Sequence, residues 1–141
     1  MNNSLMRLGG CQCGAVRFSS SGDVRALFVC HCRECQKQSA SAFGISLQVP
    51  RAGVRLLSGQ PRSWSRATDS GNRLACVFCG DCGSRLWHER EAMSETVSIK
   101  AGCLDTPIDI SDATHIWTAR RLPGMCIPKN AKQFPGEPPS D

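Results

Sequence analysis

Phe78-Cys79-Gly80-Asp81-Cys82-Gly83-Ser84-Arg85-Leu86-Trp87 and, far upstream, Gly10-Cys11-Gln12-Cys13-Gly14-Ala15-Val16-Arg17-Phe18 are two versions of one pattern. Each has two close thiols, a glycine directly after the second, and a run of strand length and strand character. A glycine at that place relieves the positive-φ turn by which a chain folds back around a metal. The likeness of Cys-Gly-Ala-Val-Arg-Phe to Cys-Gly-Ser-Arg-Leu-Trp suits two knuckles, each feeding a strand, folded over one shared ion. This reading sets the fold class: a mainly β chain built around metal knuckles.

The remaining cysteines fit the same reading. Ten stand at 11, 13, 30, 32, 35, 76, 79, 82, 103 and 126. The opening residues Met1 to Arg7 lack the apolar core of a secretory leader. The expectation is therefore a cytoplasmic protein with reduced thiols, where clustered Cys bind metal rather than form disulfides. Cys30-His31-Cys32-Arg33-Glu34-Cys35 adds a third group. Cys76 makes a second Cys-x-x-Cys overlapping the first. An iron–sulfur run would need a further Cys where Leu86 stands, and Gly83 selects Cys79 and Cys82 as the ligand pair. Cys76 is then expected on the incoming strand with Leu74 and Phe78. Cys103 and Cys126 are isolated and are read as small buried hydrophobes.

Seven clustered thiols divide naturally as four plus three. Four thiolates make a closed structural zinc site, whereas three protein ligands leave a position open. Cys30, Cys32 and Cys35 can cap one face of an ion from a single segment, leaving Cys11/Cys13 to join Cys79/Cys82. A ribbon of Cys32 and Cys35 with Cys79 and Cys82 is the competing division. Three anionic sulfurs on a dication leave a net negative centre, a weak Lewis acid that suits a fourth soft ligand such as a thiol. His31 is expected to point away from the metal or to be exposed. Neither His88 nor His115 is assigned a role.

Composition agrees with a soluble, mainly β chain. Apolar residues are 40% and, with the 13 Gly, about 49% of the 141 residues, inside the usual globular range of ~45–50%. No apolar run approaches a membrane span of ~18 residues. Strand-length runs occur at 15–18, 24–30, 43–49, 53–57, 74–78, 84–87 and 96–101, punctuated by Gly and Pro. Only 33–42 can be helical. From Pro128 the chain turns to Pro, Lys, Gln and Ser, so one domain over 1–127 is expected, with a strapping or frayed tail over 128–141. The formal charge of +5 falls to about +2 once seven thiolates hold two divalent ions. Residues 1–80 carry ten basic and three acidic side chains, with Arg51, Arg55, Arg62, Arg66 and Arg73 concentrating the excess. A solvated face is the commonest reading of such a set, docking of a small anion the second, and nucleic acid the third.

These motifs, with Ser41-Ala42-Phe43, Gly102-Cys103-Leu104-Asp105 and His115-Ile116-Trp117-Thr118, resemble the glutathione-dependent formaldehyde-activating enzyme family over roughly residues 9–136. The resemblance implies coiled β-sheets of the β-tent type. It also implies two zinc ions per chain, a structural one on Cys11, Cys13, Cys79 and Cys82 and a catalytic one on Cys30, Cys32 and Cys35. The implied reaction is of carbon–sulfur lyase type: glutathione, or a related thiol, and formaldehyde or another aldehyde give an adduct such as S-hydroxymethylglutathione. The thiol sulfur would take the open zinc position, and basic side chains would hold its carboxylates. No catalytic residue beyond the zinc ligands is implied. The family commonly has Gly where this chain has Ala40, so the turn beside the second site is expected to differ. The alternative function is a non-catalytic zinc module that binds a protein or nucleic-acid partner. Neither the motifs nor the resemblance assigns an oligomeric state.

Overall fold

In the computed structural model, the described residues are 6–69, 71–92 and 94–139. The ends of the expected 1–127 domain and 128–141 tail, residues 1–5 and 140–141, lie outside them. Among the described residues the chain forms ten short strands. They are β1 (Met6–Gly10), β2 (Arg17–Ser21), β3 (Ala26–Cys30), β4 (Gly44–Pro50), β5 (Val54–Ser58), β6 (Arg62–Ala67), β7 (Arg73–Phe78), β8 (Arg85–Arg90), β9 (Thr96–Lys100) and β10 (Thr114–Ile116). One helix, α1 (Arg33–Ser39), follows the third cysteine group's first two thiols. The mainly β class expected from the sequence is the class observed. No helix is long and apolar enough to cross a membrane among the described residues.

Contacts divide the chain into two units. The first comprises Met1–Ala26 and Leu47–Ile108. It holds a three-stranded antiparallel sheet in the order β1-β2-β5. It also holds the end of β4 followed in order by β9, β8, β7 and β6. Period-two side chains here meet in a core of Phe18, Leu47, Val49, Cys76, Leu86, Val97 and Ile99, all buried. Phe18 meets Trp87 edge to face at 5.5 Å. Burying a side chain of that size contributes about 1.5–3 kcal/mol.

The second unit comprises Leu27–Ser46 and Asp109–Asp141. Its strands run β10-β3-β4, and β10 lies parallel to β3 with His115 opposite Val29. Residues 132–137 bond to β10 and the turn after it. His115 N–H donates to the Lys132 carbonyl at 2.9 Å and Phe134 N–H to the His115 carbonyl at 2.9 Å. Trp117 N–H reaches the Gly136 carbonyl at 3.1 Å, and Trp117 Nε1 donates to Glu137 Oε1 at 2.9 Å.

Helix α1 stops short of residue 42. Ala40 takes the left-handed conformation, φ 52° and ψ 41°. Its N–H bonds the Lys37 carbonyl at 3.2 Å and Ser41 N–H bonds the Gln36 carbonyl at 3.2 Å. These two bonds satisfy the last helical carbonyls in the way a glycine usually permits. The expected departure at Ala40 is therefore one of residue type: alanine adopts the turn that glycine makes without strain.

Candidate metal centres

The two knuckles share the same kinds of backbone bond. Cys11 N–H bonds the Val16 carbonyl at 3.1 Å, and Cys79 N–H bonds the Ser84 carbonyl at 2.9 Å. Gly14 and Gly83 each stand at φ 84°, and each returns its N–H to the first cysteine's carbonyl, at 3.1 and 2.8 Å. A side chain there would strain the turn. The loops are also tied to each other, because Gln12 N–H donates to Ser84 Oγ at 2.9 Å. That hydroxyl lies 3.3 Å from Cys82 Sγ.

This geometry brings Cys11, Cys13, Cys79 and Cys82 together, with all four sulfurs within 4.8 Å of one another. Sγ separations are 3.6 Å for Cys11 to Cys13 and 3.8 Å for Cys13 to Cys79. Four sulfurs about 2.3 Å from a tetrahedral zinc would stand roughly 3.8 Å apart, so the donor set fits that ion. Backbone N–H groups already point at the sulfurs, Val16 to Cys11 at 3.2 Å and Asp81 to Cys79 at 3.4 Å. Hydrogen bonds from Ser84, first its hydroxyl and then its backbone, hold the Cys82 thiol down to about 5.

Cys30, Cys32 and Cys35 form the second group, again within 4.8 Å of one another. Cys30 ends β3, Cys32 caps α1, and Cys35 lies one turn on. The Cys32 sulfur accepts the Cys35 N–H at 3.3 Å, the usual work of a helix-capping oxygen. Hydrogen bonds from the Cys30 and Cys35 thiols, then from the Cys35 and Glu34 backbone amides, pull Cys32 down to about 2. Bonding to the same neighbours and burial push Cys30 upward. The sulfurs therefore group as four and three, and the ribbon pairing is not the grouping found.

Outside these groups the sequence reading needs correction. Cys126 is exposed, not buried, and Cys103 is only partly buried. Burial of its thiol raises Cys103 to about 12. Cys76 is fully buried on β7, opposite Trp64 and His88, as its exclusion from the ligands requires. His31 is not exposed: its relative exposure is 0%. Its Nε2 lies 2.9 Å from His115 Nδ1, the rings stack at 5.1 Å, and burial lowers both imidazoles. Gln36 was not singled out in the sequence. From the buried side of α1 its Nε2 donates to the His31 and Arg120 carbonyls, both at 2.9 Å. Its place directly after Cys35 was the available signal.

Fold and sites together define a class: mainly β proteins whose paired cysteine knuckles and separate three-cysteine turn could each hold a metal ion. The family model of the glutathione-dependent formaldehyde-activating enzyme matches residues 6–120, and the chain belongs to that family. A crystal structure of a Rhodobacter sphaeroides protein is similar in fold, with a TM-score of 0.59 at 20% identity. The likeness covers 77% of this chain and 98% of that one.

Proposed function

We propose that the chain is a zinc-dependent enzyme of carbon–sulfur lyase type that acts on adducts of glutathione, or a related thiol, with formaldehyde or another aldehyde. It would carry two zinc ions, one structural on Cys11, Cys13, Cys79 and Cys82 and one catalytic on Cys30, Cys32 and Cys35. The observation that carries this reading is the second donor set: three sulfurs gathered within 4.8 Å and no fourth His, Cys, Asp or Glu grouped with them among the described residues. Such a set leaves a coordination position for a ligand from outside. Zinc there would supply stabilisation of a thiolate at neutral pH.

The chain's residues have separable tasks. Cys32 and Cys35 are presented by one helical turn and Cys30 by the strand before it. Gln36 and the His31–His115 pair fix that turn from behind. In the reaction the thiol sulfur forms a bond to the aldehyde carbon, the carbonyl π pair moves to oxygen, and oxygen takes the proton that sulfur gave up. The reverse reaction breaks the same bond. Family membership supports glutathione and formaldehyde as the pair, and a cytoplasmic setting supplies both the thiol and the reducing conditions that seven ligand thiols need.

The test is exchange spectroscopy of glutathione and formaldehyde with their adduct, with and without zinc-loaded protein. Faster exchange that disappears in Cys32→Ser supports the proposal. An unchanged rate would make the chain a non-catalytic metal module.

A further inference from the structure

Strand β6 ends the row β9-β8-β7-β6 and has a neighbouring strand on one side only. That neighbour is β7, antiparallel, with Arg62 opposite Phe78, Trp64 opposite Cys76 and Arg66 opposite Leu74. The phase of the ladder is set just past its end, where Thr68 N–H donates to the Asn72 carbonyl at 2.8 Å. Opposed residues of an antiparallel pair alternate between bonded and non-bonded. Arg66, Trp64 and Arg62 therefore turn their backbone groups toward β7, and Ser63, Ser65 and Ala67 turn theirs outward. The Arg73 carbonyl, opposite Ala67, agrees with this phase because it accepts instead from Glu91 N–H at 3.1 Å. The Ala67 carbonyl is taken by the Arg66 guanidinium at 3.3 Å. Among the described residues, Ser63 and Ser65 have no backbone bond along that outer edge. Such a row of unpaired groups is a template for another strand.

The side chains on this edge carry a pattern of their own. Arg62, Trp64 and Arg66 lie two positions apart and so share one face. Trp64 is 54% exposed, with a cation on either side of it along the strand. The Arg62 stem lies against Gly80, where a Cβ would stand only 2.6 Å from its Cδ. Its guanidinium makes no ion pair among the described residues, whereas Arg17, Arg51 and Arg73 are paired with Asp105, Glu89 and Glu91. No Asp or Glu occurs anywhere from residue 35 to residue 68.

We propose that β6 is a docking edge for an extended acidic segment of a partner protein. The segment adds as an antiparallel strand, with backbone bonds to Ser63 and Ser65. It sets carboxylates against Arg62 and Arg66 and an apolar side chain against Trp64. Backbone bonds of this kind supply affinity, and alternate side chains supply selectivity. Charge decides between this occupant and a second copy of the chain. Two β6 strands would bring four arginines onto one face with no acid among them, and like charges across strands destabilise a pair. An acidic strand converts the same charges into attraction. None of these residues is a metal ligand, so the surface is additional to the thiol–aldehyde reading and does not depend on it.

The experiment is titration of the zinc-loaded full chain with a capped heptapeptide, Thr-Glu-Thr-Val-Thr-Glu-Thr, followed by amide NMR. Saturable binding is expected, with the largest shifts at the Ser63 and Ser65 amides. Methylating the backbone nitrogens of the two central threonines, which would face β6, should abolish it; methylating the valine nitrogen, which would face away, should not. Arg62→Gln with Arg66→Gln should weaken binding about tenfold. The pair Arg62→Glu and Arg66→Glu should gain binding to the same peptide with lysine in place of glutamate, a result that no loss of folding could produce. Absence of shifts at Ser63 and Ser65, or equal binding of the peptide methylated at its central threonines, would overturn the proposal. So would tighter binding of an oligothymidylate to the same edge, which would make the ligand a nucleic acid. Concentration-dependent dimerisation through β6 without peptide would make the occupant a second copy and overturn it as well.

Discussion

At Ala40 the backbone asks for a residue that the chain does not supply. Its φ of 52° lies where a Cβ crowds the following carbonyl, at a cost of about 1–2 kcal/mol. The two hydrogen bonds that close α1 hold it there. Glycine would remove the strain and return part of the gain through a freer unfolded chain. Ala40→Gly should therefore stabilise by about 1 kcal/mol, roughly 3 °C in a thermal melt. A lower melting temperature would show that the Ala40 methyl packs usefully. His88 sets a second test. Its ring is buried, Arg85 Nη1 lies 2.8 Å from its Nε2, and the charges of Lys100, Arg85 and Arg66 add to the effect of burial, with Cys76 and Ser98 opposite on the neighbouring strands. Its folded pKa, about 2, lies below the ordinary 6.5, so the unfolded chain binds the extra proton first. The resulting stability is complete above pH 6.5 and falls by up to about 1.4 kcal/mol per pH unit on acidification toward 2. Thiolate protonation releases metal in the same window. The quantity to measure is thus the difference in urea stability between the unmutated chain and His88→Gln at pH 7.5 and 5.5. The unmutated chain should lose more.

Among the elements, the tail and α1 bear on the three-cysteine turn through hydrogen bonds that no sequence pattern announces. Lys132 and Phe134 grip both backbone groups of His115. His115 holds His31, which stands between two of the thiols, and Gln36 ties the His31 carbonyl to that of Arg120. Gln36→Ala would leave two inward-facing carbonyls without that donor, at about 1–3 kcal/mol. Both Gln36→Ala and a chain ending at Ala131 should hold the second metal more weakly while keeping the first. Cobalt substitution reads this directly, because the thiolate-to-metal absorption of the second site should fade at a lower chelator concentration than in the intact chain. Equal loss from both sites would deny the relay. The same bonds show where the sequence was silent. Both knuckles, the three-cysteine turn and the glycine turns were legible because their residues lie within a few positions of each other, whereas the joining of Cys11 and Cys13 to Cys79 and Cys82 was left open by spacing and came from the family resemblance. His31 with His115 and Gln36 with Arg120 each span 84 positions, beyond any local pattern. Among strands, β7 and β9 follow their period-two runs closely. Strand β1 was hidden by Gly9-Gly10, which read as a break. The charged and serine-rich β6 lacked an apolar face, and β10 is only three residues long.

For the molecule as a whole, the two donor sets should differ in what their loss does. The four-thiol group joins the segment between β1 and β2 to the segment between β7 and β8, elements far apart in the chain. Zinc bound across such a closure is part of the folding free energy. Structural zinc contributes roughly 10–16 kcal/mol in small zinc-finger peptides, against a usual stability of about 5–15 kcal/mol for a domain. The three-thiol group lies within six residues of one segment, so an ion there closes no long loop and adds little to stability. Purified protein should accordingly carry close to two zinc ions, one removed by moderate chelator and one resistant until the fold melts. Cys82→Ser should lower the melting temperature steeply, with loss of turnover following from unfolding. Cys32→Ser should melt close to the unmutated chain yet fail to accelerate exchange between glutathione, formaldehyde and their adduct. Thermal melts, zinc analysis and the exchange assay on both variants at fixed zinc decide the matter. If Cys32→Ser melts as early as Cys82→Ser, the second ion is as structural as the first, and the proposed assignment of chemistry to Cys30, Cys32 and Cys35 fails with it.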